Sequence, residues 1–265
     1  MDGRTYTAGL ILLFRKEGRP DRAAIAQAVA SIANVSISYD PGAAHSSGTP
    51  QWSNGTGDDP ASGGDDWFEL LVDGLTFDMV GLAPGPAITA PGVEFHIDCP
   101  RSLALDDFEL LGLAPGPHLA GGMRSLVVAK ALTGLGCSIA RELGNVEGFF
   151  WLPSRALTGP GFFCSTVSSW IEGGPFPALG LTAFRALGNG ELESVGLEFF
   201  TGQEVRVSAE LAADPASATR LAMRLVHQLA THGPLVSPEL VTGPDGASLQ
   251  LEPLDDERIV LVRSA

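Results

Sequence analysis

Residues 146–152, VEGFFWL, form an almost unbroken apolar and aromatic run near the middle of the chain. Such continuity fits a strand covered on both faces rather than one with a wet side. Whatever fold this chain adopts must therefore supply two layers of cover at that point. Pro153 cannot donate to a ladder, so the strand ends there. Thr158-Gly159-Pro160 resembles a helix start, a capping hydroxyl followed by proline in the first turn. Phe163, Val167, Trp170 and Ile171 then recur on one helical stripe, and Gly173-Gly174-Pro175 stops it. Residues 178–187 and 192–199 flank Gly188-Asn189-Gly190, and Asn-Gly, both tolerant of positive φ, predicts a hairpin. The block from 145 to 205 thus reads as strand, helix and hairpin.

The flanking chain supplies the cover. Residues 9–14 read as a strand, and Pro20-Asp21 opens a helix with Ile25, Ala28, Val29 and Ile32 on one face and Asn34 as its stop. Residues 35–39 alternate, as a half-exposed strand does. Asp73-Gly74 joins residues 67–72 and 75–82 as a second hairpin. Residues 123–143 predict the longest helix, with Val128, Leu132, Leu135, Ile139 and Leu143 as its stripe and few polar positions elsewhere, hence a buried element. Asp214-Pro215 opens the last helix, Ala218, Leu221, Leu225 and Leu229 face inward, and Gly233 ends it. His227 and His232 fall near its negative end, where the dipole favours imidazolium. Turns at 243–246 and 255–257 separate three closing strands.

Two features interrupt this pattern. Residues 40–66 are rich in Gly, Ser, Asp, Pro and Thr and offer almost nothing to bury, which predicts a flexible polar insert. Its Asp58-Asp59 and Asp65-Asp66 lack the alternating oxygens and closing glutamate of a calcium loop, so they read as solvated acids. Residues 77–86 are echoed by residues 108–117, each a short strand leading into Pro-Gly-Pro. The echo records either a duplicated half or two strands that share one exit geometry. The sum is an α+β fold of mixed, largely antiparallel sheets with packed helices. It is one domain over residues 1–265, with two related subdomains, 1–105 and 106–265, as one reading.

Phe150-Trp151-Leu152-Pro153-Ser154, Gly196-Leu197-Glu198-Phe199 and Gly202-Gln203-Glu204-Val205 resemble the C-terminal signature of a bacterial family, domain of unknown function 4261. The stretch near Leu13, and Asp73-Gly74 leading into Gly81-Leu82-Ala83-Pro84, are similar to its N-terminal part. The resemblance spans most of the chain on apolar and glycine pattern. It implies an α+β architecture and carries over no catalytic residue. The insert after Tyr39 and the acidic segment near Asp106 depart from it.

A net charge of −15, with Lys16 and Lys130 the only lysines, repels phosphate backbones and anionic membranes, so neither nucleic acid nor membrane is expected as a partner. No run reaches the length of a membrane span, and residues 8–14 are too short and too closely followed by Arg15-Lys16-Glu17 for a leader. Cys99, Cys137 and Cys164 are widely spaced and form no metal or redox motif, which suits a reducing cytoplasm. Gly121-Gly122 lacks the lysine of a phosphate loop and the spacing of a dinucleotide fold, so no cofactor and no metal are expected.

The nucleophile elbow, HExxH and other hydrolase signatures are missing from the sequence. His96 and Asp98 share one strand face and could meet, more in the manner of a surface hydrogen bond than of a catalytic dyad. The candidate binding patch lies at the exit of the central strand, at Trp151, Ser154 and Arg155, because ligands favour the carboxyl ends of strands and Trp and Arg favour hot spots. The competing reading makes Trp151 core and Arg155 merely solvated. Glu204 is the second candidate, either facing a groove or paired with Arg185. Two functions follow: a non-catalytic cytoplasmic module that binds a protein partner, or an enzyme acting on a small molecule through a scattered site.

Overall fold

The computed structural model describes residues 9–41, 67–119, 121–244, 246–254 and 258–265. The flexible insert expected over 40–66 lies outside these residues beyond Pro41. In chain order the elements are β1 (Leu10–Arg15), α1 (Arg22–Ser31), β2 (Val35–Tyr39), β3 (Trp67–Val72), β4 (Leu75–Val80), β5 (Phe95–Ile97), β6 (Phe108–Pro115), α2 (Leu126–Leu143), β7 (Gly148–Trp151), β8 (Ala156–Thr158) and α3 (Pro160–Ile171). Then follow β9 (Ala183–Ala186), β10 (Leu192–Val195), α4 (Glu198–Thr201), β11 (Glu204–Val207), α5 (Pro215–His232), β12 (Glu239–Thr242), β13 (Ser248–Pro253) and β14 (Ile259–Ser264).

The strands form two sheets, one of eight in the order β2-β3-β4-β6-β1-β7-β8-β5 and one of six in the order β12-β13-β14-β11-β10-β9. Both are mixed and largely antiparallel, with β5–β8 and β11–β14 the parallel pairs. The fold is α+β. The continuous apolar runs occupy the middle of the larger sheet. β7 is buried along its whole length, and the first five residues of β1, paired to it and to β6, are buried too. Leu10, Leu12 and Phe14 face a core shared with α1, α2 and α3, while Ile11 and Leu13 face a second cluster with Leu105, Leu110, Phe150 and Leu157. That second face is covered by an irregular strap, residues 85–107, through Ile88, Ala90, Val93, Cys99 and Leu103. The smaller sheet has one covered face, where α5 lays Leu221, Leu225 and Leu229 over β10 and β11.

Several expectations need adjustment. α3 starts at Pro160 with Gly159 as its cap, because the Thr158 hydroxyl is buried inside β8 and makes no capping bond. Ile171 ends that helix half-exposed rather than in its stripe. The β9–β10 loop uses Gly190 alone at positive φ, 86°. Leu187 and Glu191 pair around three loop residues, a type I turn closed by a left-handed glycine. Residues 198–201 are helix, not strand. α2 starts at Leu126, and its 18 residues match α5 in length. The echoed strands β4 and β6 lie side by side, Phe77 opposite Pro115, but leave differently: Ala83–Pro84 is a cis bond after the strand, whereas Pro115 is still within β6. The boundary at 105/106 falls inside one sheet, since β6 bonds to β4 and β1.

Leu132 is 1% exposed in the contact between α2 and the larger sheet. Leu132→Ala is expected to cost about 2–5 kcal/mol in urea unfolding, as buried leucines do. Val127, one turn earlier and 69% exposed, should change stability by no more than about 0.5 kcal/mol when cut to alanine.

Candidate functional site

Trp151, Ser154 and Glu204 come together, the first two buried inside the protein and Glu204 half-buried beside them. β7 carries Trp151, the turn from β7 to β8 carries Ser154, and β11 carries Glu204. All three converge on the turn from Ser194 to Phe200, where the larger sheet meets the smaller. Trp151 is 1% exposed and packs against Phe199 edge-on at 5.8 Å and Phe200 face-on at 6.4 Å. Ser154 is fully buried and donates to the Gly180 carbonyl oxygen at 3.4 Å. Its Cβ lies where a side chain at residue 196 would go, 2.7 Å from the ideal Cβ position, so Gly196, at φ 97°, admits no other residue.

Glu204 holds the same turn by hydrogen bonds. Its carboxylate accepts from the Ser194 hydroxyl at 2.5 Å and from the amides of Gly196, Leu197 and Glu198 at 2.6, 3.2 and 3.1 Å. The Ser194 hydroxyl in turn accepts from the Val205 amide at 2.8 Å. Burial pushes the Glu204 pKa up, and the four donors pull against that. The expected partner, Arg185, is elsewhere: it pairs with Glu94 at 2.6 Å.

Arg155 is the one member of the expected patch at the surface, and its donors are committed. Its Nε and one terminal nitrogen donate to the Gly92 carbonyl oxygen at 3.1 and 2.8 Å, and the other meets Glu94 at 2.6 Å. Its own carbonyl oxygen accepts from the amides of Glu94 and Phe95. Arg155 is a clasp on the strap that covers the second sheet face. His96 serves the same strap. Its Nε2 bonds to the Leu103 carbonyl oxygen at 2.9 Å, so the His96–Asp98 pair does not form. His227 ties α5 to the segment after α3: its Nδ1 accepts from the Phe176 amide at 3.0 Å.

Two thiols far apart in sequence are neighbours in space. Cys137 on α2 and Cys164 on α3 interact across the helix contact. Each thiol's influence on the other, with Arg141 nearby, lowers the Cys164 pKa, while the same interaction and burial raise that of Cys137. Among the described residues no cluster of three or more His, Cys, Asp or Glu could hold a metal ion, and no helix is long and apolar enough to cross a membrane.

The open site lies on the other flank of the smaller sheet. α5 lies mainly over β10 and β11, and a groove runs between the helix and β12 and β13, whose Leu249 and Leu251 stay buried. Two hollows of about 370 and 460 Å³ share Arg224 and Gln228. Leu221, Leu225, Val241 and Leu249 form an apolar floor, and His227, His232 and Glu239 line the outer end. Arg224 is exposed and, among the described residues, has no ion-pair or hydrogen-bond partner. Gln203 fixes the groove's end. Its side chain donates to the Leu235 carbonyl oxygen at 2.9 Å and accepts from the Leu235 amide at 2.8 Å. The sequence held one signal for this site that pattern reading passed over: α5 contains two arginines and two histidines but no carboxylate, in a chain with 31 acidic residues.

Glu204→Gln provides a test of the joint. Whichever way the amide is turned, its NH₂ faces a backbone N–H, so a buried donor loses its acceptor. A loss of about 2–4 kcal/mol is expected in denaturant unfolding; a loss under about 0.5 kcal/mol, the size of a surface change, would show that the carboxylate does not hold the turn.

Compared with models of protein families, with curated proteins and with solved structures, the chain finds no match.

Proposed function

We propose that the protein is a non-catalytic module that binds a protein partner, and that it does so through the groove between α5 and β12. The observation that carries this reading is Arg224, a guanidinium without a partner among the described residues, on a helix without carboxylates and above an apolar floor. A charged group left unpaired at the rim of an apolar hollow is a feature of recognition sites, where polar groups fix orientation and apolar surface supplies affinity. The groups that could serve chemistry elsewhere are engaged in holding the fold: Glu204 by four donors, Ser154 by Gly180, His96 by Leu103, and Glu94 between two arginines. Its three cysteines are free thiols, which suits a reducing compartment such as the cytoplasm.

Val236, 82% exposed, lies in the segment that connects α5 to β12. A photo-crosslinking amino acid in its place should capture a discrete partner in source cells, and Arg224→Glu in the same chain should abolish that capture. The same probe in place of Val127, on α2, should capture nothing specific. A metabolite screen that finds turnover lost in Arg224→Glu would replace binding with catalysis.

A further inference from the structure

β12 ends its sheet, and among the described residues no strand pairs with its outer edge. The hydrogen bond from the Gly243 amide to the Ala247 carbonyl oxygen sets the ladder, so Val241–Leu249 and Glu239–Leu251 are the bonded pairs with β13. By alternation the main-chain groups of Leu240 and Thr242 point away from β13, along the open edge. Sheet edges are usually guarded by charge, cover or a bulge, because an open one templates another strand. The opposite edge, β9, has such a guard: Arg185 reaches from it to Glu94 and lies over the Phe95 ring at 5.8 Å. β12 has no comparable cover among the described residues. Instead, Leu240 of β12 is 71% exposed, and Val236, in the segment that leads into this strand, is 82% exposed.

The edge and the groove belong to one surface. Val241 lies on the face of β12 that lines the groove, beside Leu249 and below Arg224. A strand laid along β12 would alternate its side chains, one set outward with Leu240 and the other toward the groove with Val241. The groove wall carries Arg224, His227 and His232 with one carboxylate, Glu239, the floor is apolar, and the chain as a whole carries −15. The chemistry complementary to this surface is therefore an extended segment with apolar residues at alternate positions and a carboxylate among them to meet the free Arg224.

We propose that β12 receives an extended peptide segment of a partner protein as a seventh strand of this sheet, with an inward Asp or Glu of that segment paired to Arg224. This rests on the groove being the binding site and adds the mode and chemistry of recognition. Strand addition of this kind takes its affinity from main-chain hydrogen bonds and its specificity from alternate side chains.

A display library of random peptides of about ten residues, long enough to span a strand edge, selected on the full-length chain, tests this directly. Enriched peptides should share apolar residues at every second position and one acidic residue. The best of them, made synthetically, should bind Arg224→Glu at least about tenfold more weakly, as for an interfacial charge pair. The Arg224→Glu chain should melt as the parent does, since residue 224 is exposed. Methylating alternate peptide amides on the edge that meets β12 should abolish binding, and methylating the opposite set should not. If Arg224→Glu weakens binding but neither methylated set differs from the parent peptide, strand addition is wrong and the groove stands. If the enriched peptides bind Arg224→Glu as well as the parent chain, or if nothing enriches, the groove assignment fails with it.

Discussion

The structure depends on burying β1 and β7 from both sides. Leu10 to Phe14 and Gly148 to Trp151 are consecutive buried residues, so neither strand has a face it can leave to water. One face is covered in the usual way, by amphipathic helices whose leucines, isoleucine and valines interdigitate with Leu10, Leu12 and Phe14. The other face has no helix. Its cover is the strap over residues 85–107, with one short strand and one turn of 3-10 helix. A strap with so little internal hydrogen bonding stays in place only if it is tied down, and Arg155, Glu94, Arg185 and His96 are the ties.

The second sheet is attached where β7 and β8 end. Trp151 and Ser154 press on the turn from Ser194 to Phe200, and Glu204 fastens that turn from the β11 side. The next residue along, Gln203, clamps Leu235, which leads from α5 into β12. The same short segment, 203–204, therefore holds the turn between the sheets on one side and the exit of α5 on the other. On the proposed reading, a rigid frame beside Arg224, which has no partner among the described residues, would limit the entropy lost on association.

Local signals in the sequence identified the elements well because they are local physics. Asp73-Gly74 made its two-residue turn with φ of 47° and 83°, Asp214 capped α5 through the Ser217 amide, and the stripe Val128, Leu132, Leu135 and Ile139 is buried. The grouping of Trp151, Ser154 and Glu204 was also legible, since strand exits gather residues. Their role was not, because pattern cannot distinguish an exit that opens to solvent from one closed by a second sheet built from residues 183–264. Arg155 looked like a free cation for the same reason: its acceptors, Gly92 and Glu94, sit some 60 residues away in a segment without periodicity. The pairing of Cys137 with Cys164 and the gap between α5 and β12 are likewise products of tertiary packing. Only the missing carboxylates of α5 left a trace in one dimension.

The central claim is that the residues at the strand exit hold the fold rather than meet a ligand. Arg155→Ala isolates it, because alanine inherits the φ of 53° and loses the guanidinium alone. Native-state hydrogen exchange should then show the Phe95 and Ile97 region of the strap exchanging about tenfold or more faster, as expected for a segment that opens locally. Amides of α5 and β13 should keep their protection. If the strap exchanges at the parent rate, Arg155 is not its clasp, and the exposed guanidinium would again be free to bind a partner.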